Sequence, residues 1–401
     1  VANMVDGKDR REVISDNLPH LFGLSLLGDY LYWTDWQRRS IDRIKVTGNG
    51  REVIVDQLPN VMGLKAVRLG DMKGSNPALD FDINENRIYW TDVKVKAISR
   101  AFMNGSDMQK IVEFGLDSPE GMAVDWVAHN IYWTDTGSKR IEVAGLDGRS
   151  RKVLIWKDID EPRSLALDPR EGYMYWSDWG SQACISRAAM DGTRRTVIVA
   201  KVGRANGLTI DYVQHRLYWT ELGQRVIESS DLTGKERAVV ISENLEKPFG
   251  LTQYLDYIYW ADWKTGIIER ANKTNGSNRT IIHSKLEFIT DILVFHTSRQ
   301  SAWNQCAVGN GGCSHLCLAL PPLASSRQSN THYCGCPTHY TLGDGNKTCI
   351  GPRSFLLFGQ KNSLSRLLPD TDDCPDVVLP IHSVKNIKAV EFDPVSQYIY
   401  W

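Results

Sequence analysis

Apolar and polar positions alternate along most of this chain in short runs, and one run recurs. Ile131-Tyr132-Trp133-Thr134-Asp135 has counterparts at 31–35, 88–92, 174–178, 217–221 and 258–262, and another copy begins at Ile399-Tyr400-Trp401. Its tryptophans fall at 33, 90, 133, 176, 219 and 260, with spacings of 57, 43, 43, 43 and 41. Within the unit 119–159, residues 121–125 read as a short apolar strand and 130–134 as a second, rich in aromatic and β-branched residues. Residues 140–144 alternate as a third strand, Asp147-Gly148 turns the chain, and 151–155 form the fourth. Alternation puts Ile131 and Trp133 on one face and Tyr132 and Thr134 on the other, so both faces need cover. Repeats of roughly 40–50 residues with several strands each predict a β-propeller, whose blades are covered by their neighbours. The motif aromatics are then core, and the closing Asp or Glu accepts hydrogen bonds from turn N–H groups.

The wide first spacing bears on domain organisation. Leu18-Pro-His-Leu-Phe-Gly-Leu24 matches Leu245-Glu-Lys-Pro-Phe-Gly-Leu251, and 29–36 matches 256–263, so 17–58 and 244–286 hold the same ordinal place in two successive propellers. After 286 the chain reaches a cysteine-rich stretch; after 58 it runs instead into a blade at Ala78. A segment equivalent to 306–388 is therefore expected to be missing at Pro77/Ala78. The expected architecture is all-β. Residues 1–77 are the last blades of a preceding propeller, and 78–302 a six-bladed propeller. Residues 303–350 are a small disulfide-rich module, and 351–401 the first strands of a following propeller. A seven-bladed ring that includes 17–58 is the alternative. Propellers hide their last edge by pairing it with strands from elsewhere in the chain. Residues 355–358 with 363–368, or 4–14, are expected to fill the edge beside 289–295.

At 401 residues and 42% apolar composition the chain buries a large core, and a net charge of −1 gives no basic excess for nucleic acid. No apolar run is long enough to span a membrane, and no signal peptide is recognised. Six of the eight cysteines, at 306, 313, 317, 334, 336 and 349, crowd into one stretch, the mark of a disulfide scaffold in an oxidising compartment. Spacing alone leaves their pairing open. Cys184 is expected as a partly buried thiol and Cys374 as unpaired. Sequons at Asn104, Asn272, Asn275, Asn278 and Asn346 agree with secretion and glycosylation.

The spacing Cys-x6-Cys-x3-Cys-x16-Cys-x-Cys-x12-Cys resembles an epidermal-growth-factor-like module. That resemblance implies the pairs Cys306–Cys317, Cys313–Cys334 and Cys336–Cys349. The acidic lead-in of the calcium-binding kind is missing, so no metal is expected there. Propellers of the Tyr-Trp-Thr-Asp type in tandem with such modules resemble the low-density-lipoprotein-receptor family. The strings 99–105 (Ser-Arg-Ala-Phe-Met-Asn-Gly), 120–126 (Glu-Gly-Met-Ala-Val-Asp-Trp), 203–206, 269–272, 291–296 and 312–317 are similar to its Wnt co-receptor branch. The resemblance implies an endocytosed, single-pass plasma-membrane receptor. Its implied partners are Wnt proteins, Dickkopf-type antagonists and, in the signalling complex, a Frizzled receptor; no cofactor is implied.

Antiparallel order brings the stretch before each first strand and the stretch after each motif to one rim of the propeller. The first set contains Glu120, Arg163, Asn206, Phe249, Phe288 and Thr290; the second contains Trp179 and Trp263. Exposed aromatic rings among charges mark protein-binding hot spots. The resemblance assigns Trp179, Trp263 and Phe249 to a ligand-binding patch, with Phe288 at its usual Tyr position. Gly223 and Lys247 depart from the family's Asp and His. Asp291 is either a further rim residue or a structural cap. Two other readings stand beside the receptor: a matrix adhesion propeller of the nidogen kind, and a calcium-dependent lactonase using Glu120, Asn206 and Asp291. The chain carries no Gly-x-Ser-x-Gly, His-Glu-x-x-His or phosphate-loop motif, and no enzyme is expected.

Overall fold

The computed structural model describes residues 13–14, 21–27, 29–35, 37–55, 78–287, 289–322, 332–369 and 374–401. Five four-stranded antiparallel sheets follow one another from 79 to 283, each ordered in sequence from axis to periphery. The second is typical: Pro119–Asp125 innermost, then Asn130–Asp135, Arg140–Gly145 and Lys152–Ile155. Trp133 lies opposite Met122 on one side and Glu142 on the other. Both faces of this motif strand are closed, with Tyr132 and Trp133 fully buried, as are Tyr175 with Trp176 and Tyr218 with Trp219 in the next two blades. Neighbouring innermost strands pack side by side around a common axis. Gly121, Gly207 and Gly250 in three of these strands permit a close approach: a Cβ on Gly250 would lie 2.6 Å from the Asp291 Cα.

The acidic residue that closes each motif caps turns as expected. Asp135 accepts from the N–H groups of Asp117, Ser118 and Ser138, and Asp178 from those of Asp160, Glu161 and Gly180. Glu221 and Asp262 repeat the pattern.

A second lock joins the blades. Arg151 stacks over Trp133 at 5.2 Å, pairs with the buried Glu142, and donates to the Phe114 and Gly115 carbonyls where the preceding blade ends. Arg195, Arg237 and Arg279 sit over Trp176, Trp219 and Trp260 and reach the ends of their preceding blades in the same way. This Asp/Glu-x8-Arg pairing, as in Glu142–Arg151 and Glu228–Arg237, is a repeat signal that the aromatic motif overshadows.

Residues 289–295 lie between the innermost strands of the fifth and first of these sheets. Asp291 accepts from the Leu79 N–H of the first blade at 3.0 Å, and the Phe81 and Phe295 rings lie 4.7 Å apart. No ladder among the described residues includes this segment. The flanking blades show the difference: Tyr259 and Trp90 stay half-buried where Tyr132 and Trp133 are sealed. The expected edge filler goes elsewhere. Leu356–Gln360, Ser363–Leu367 and Val377–Val378 form their own sheet. That sheet docks on the cysteine module through Arg366 and Thr338, and on the first two blades through Arg140 with Asp376 and Phe114 with His382. These contacts hold it on the module and the first two blades, away from 289–295. The other filler, 4–14, lies almost wholly outside the described residues.

Upstream, Leu21–Leu27, Tyr30–Asp35, Ser40–Lys45 and Glu52–Val55 make one more complete sheet, with Trp33 buried. Its outer strand runs beside Thr280–His283 of the fifth blade.

The cysteines pair as Cys306–Cys317, Cys313–Cys334 and Cys336–Cys349, in agreement with the implied pattern. Cys184 and Cys374 are free and half-buried. The module packs on the second and third blades at the end opposite the expected rim. Asn130 donates to the Cys317 carbonyl at 2.8 Å, Thr338 accepts from the Val153 N–H, and Asn304 donates to the Pro169 carbonyl. Leu316, Leu318 and Ala319 join the apolar cluster of Leu165, Leu167 and Met174. The polar stretch between Ala319 and His332 falls partly on 323–331, outside the described residues.

Candidate protein-binding rim

The innermost strands start earlier than their sequence suggests. Glu120, Arg163, Asn206 and Phe249 are strand residues, in Pro119–Asp125, Pro162–Asp168, Ala205–Asp211 and Pro248–Tyr254, not members of the loops before them. This decides how far each faces solvent. Phe249 is 5% exposed and Thr290 8%, so neither presents a surface ring or hydroxyl, a correction to their placement on the open rim. The Phe249 carbonyl is also occupied, by Thr220 at 2.9 Å and Asn206 at 3.4 Å. Phe288 lies outside the described residues.

Trp179 and Trp263 follow their motif aspartates directly and are half-buried, each with a face toward solvent. The Trp179 indole N–H donates to the Ala205 carbonyl at 2.5 Å, which pins the ring across the seam between third and fourth blades. The Arg163 guanidinium lies 4.3 Å from its centroid and Arg204 5.8 Å. Arg163 also pairs with Glu120, whose side chain is 13% exposed. Burial, and the like charge of Arg204, pull the Arg163 guanidinium below its ordinary value. On the fifth blade the Lys247 ammonium stands 4.0 Å over the Trp263 ring, and the Trp263 N–H donates to the Lys247 carbonyl. Arg204 is a rim residue that sequence reasoning passed over, and Lys247 entered it only as a departure from the family's His. The signal for both is their place just before an innermost strand.

At the axis a cavity of 140 Å³ opens among Asp80, Glu120, Ser164, Asn206, Thr290 and Asp291. Its far end is stopped by Arg299, which donates to the Ile210 carbonyl and stacks 5.0 Å from the Tyr212 ring. Asp291 acts as a cap, accepting from the N–H groups of Leu79 and Ile292; burial pushes its carboxyl up to about 7. Asp80 caps Val124 likewise and is raised by burial to about 6. Glu120, Asn206 and Asp291 line this cavity, and each is already hydrogen-bonded: to Arg163, to the Phe249 carbonyl and to the first blade. The one cluster among the described residues with ligand atoms close enough for a metal is Cys313, His332 and Cys334, and its sulfurs are joined in a disulfide.

Known proteins share both the repeat and the small module. The family described as low-density lipoprotein receptor repeat class B matches 86–126, 129–169, 172–212 and 215–254, and that described as coagulation factor Xa inhibitory site matches 306–349. Mouse low-density lipoprotein receptor-related protein 5 is 48% identical over 471 residues, covering 99% of this chain and 29% of that protein. The chain belongs to the low-density-lipoprotein-receptor-related proteins. Mouse receptor-related protein 4 is 54% identical over 326 residues, covering 81% of the chain and 17% of its own length. The chain thus spans less than a third of the curated relatives that it matches. The alignment to mouse receptor-related protein 5 is at least 70 positions longer than the chain, so the aligned region of that protein holds residues with no counterpart here. Among solved structures, a nidogen/laminin complex has a chain 29% identical with a TM-score of 0.52, covering 66% of this chain and 97% of that one. The curated relatives matched here are receptor-related proteins and not enzymes. Among the described residues, no helix is long and apolar enough to cross a membrane.

Proposed function

We propose that this chain is an extracellular ligand-binding part of a Wnt co-receptor, carried by a single-pass plasma-membrane protein. Its partners in this reading are Wnt proteins and Dickkopf-type antagonists, with a Frizzled receptor joining the signalling complex. They meet the rim at Trp179 and Trp263, with Glu120 and Arg163 holding Trp179 in place. The 48% identity to receptor-related protein 5 carries the reading, and two half-open indoles on the face opposite the cysteine module support it. Exposed tryptophans backed by a rigid scaffold supply contact area at little ordering cost. The proposed domain limits are those drawn from the sequence, with 78–302 as the binding propeller, and the sequons remain proposed glycan sites.

The likeness to nidogen supports a second reading, adhesion to a matrix glycoprotein. Surface plasmon resonance of the purified chain against a Wnt protein, a Dickkopf-type antagonist and laminin separates the two. Binding of Wnt or Dickkopf that falls on Trp263→Ala supports the receptor reading. Binding of laminin alone overturns it.

A further inference from the structure

Three consecutive blades lay a track across the rim. It starts at Trp179 and Arg204 at the junction of third and fourth blades. It passes Gly223, which has no side chain, and ends at Lys247 and Trp263 on the fifth. Each indole carries a cation on its face, and neither Arg204 nor Lys247 has a carboxylate partner among the described residues. Three of the acids nearby are already engaged, and Glu161, whose carbonyl accepts from the Trp179 backbone N–H, is exposed. Glu120 holds Arg163, Glu221 accepts from the backbone of Arg204, Gly223 and Gln224, and Glu246 takes Lys264 at 2.8 Å and Arg225 at 3.6 Å. A cation over an indole in water keeps most of its capacity for an anion, and an arriving carboxylate meets charge and aromatic surface together.

Resting on the rim reading above, we infer that this track selects an acidic segment of the partner. An extended peptide would place carboxylates on Arg204 and Lys247 and flanking apolar side chains on Trp179 and Trp263. Gly223 leaves room for its backbone. Along the track a basic segment finds one unpaired carboxylate, the exposed Glu161 beside Trp179, and meets two fixed cations, so charge complementarity favours the acidic segment over it.

The test pans a phage-displayed library of short random peptides on the purified full chain. Enriched peptides are counter-screened on Trp179→Ala/Trp263→Ala and on Arg204→Glu/Lys247→Glu. The expected result is enrichment in Asp and Glu, binding at least about tenfold weaker on the charge-reversed protein, and further weakening with added salt. Arg204→Lys/Lys247→Arg, which keeps both charges, retains binding. Peptides that need both tryptophans but are neutral or basic overturn the acidic-partner inference and leave the rim reading standing. If no captured peptide depends on Trp179 or Trp263, the rim reading falls as well.

Discussion

Two sets of tryptophans in this protein carry a cation on the ring, and they serve opposite ends. In the blades, Trp133, Trp176, Trp219 and Trp260 each lie under an arginine at 5.2 to 5.8 Å. On the rim, Trp179 and Trp263 lie under Arg163 and Lys247 at 4.3 and 4.0 Å. The rim contacts are the closer ones, so proximity is not what makes a contact structural. The difference is in what remains of the cation. Arg151 spends its guanidinium on Glu142 and on two carbonyls of the preceding blade. On the rim Arg163 is taken by Glu120, whereas among the described residues Lys247 has ring contacts alone, with Trp263 and, at 6.0 Å, Phe249. A closed set of partners makes a joint; an open one leaves an attachment point.

The largest test of this contrast is Trp133→Ala, expected to lose about 3–5 kcal/mol of stability by chemical denaturation because the ring is wholly enclosed. Next is Arg151→Ala, expected to cost about 3 kcal/mol, since it strands the Glu142 carboxylate, which is 1% exposed. Removing Glu142 as well is expected to cost less than the two single losses together, a coupling that a double-mutant cycle reads directly. On the rim the readout changes. Trp179→Ala and Trp263→Ala are each expected to weaken partner binding by about 2 kcal/mol in surface plasmon resonance, with the thermal midpoint close to that of the parent. Loss of folding in either would erase the distinction.

The smallest effect is a pH dependence within the joints. Asp125 caps Val127 and Ala128 with one oxygen, while the other is buried without a partner, and burial raises its carboxyl to about 6. The unfolded value is about 3.9. Between these the folded state holds a proton that the unfolded state has released. The stability this group contributes is therefore full at low pH and declines as pH rises through 6. Asp125→Asn keeps the capping oxygen and removes the charge. It is expected to be more stable than the parent by about 1 kcal/mol at pH 7, with the gain shrinking at pH 5.

The parts legible in the sequence are those with a local period or a fixed spacing. Trp133 and Tyr132 announced burial on both faces by alternation, the motif acids announced their turns, and the cysteine spacing resembled a module of known pairing. Strand starts were not legible, because Glu120, Arg163 and Phe249 sit at the rim end of strands whose first residues lack any alternating partner. Phe249 was misplaced for that reason. The arginine clasps went unread because they link residues nine apart across a hairpin, and neither member is apolar. The docking of 356–378 depends on tertiary partners such as Arg140 and Thr338, which no pattern within that segment reveals.

The clasps also have a direction. Each arginine grips the blade that came before it in the chain and never the one that comes after: Arg151 the end of the first blade, Arg279 the end of the fourth. A chain emerging from its N-terminus would thus leave every newly made wedge unlatched until its successor appeared. Damage to one latch would loosen the unit upstream of the lesion, not the one that bears it.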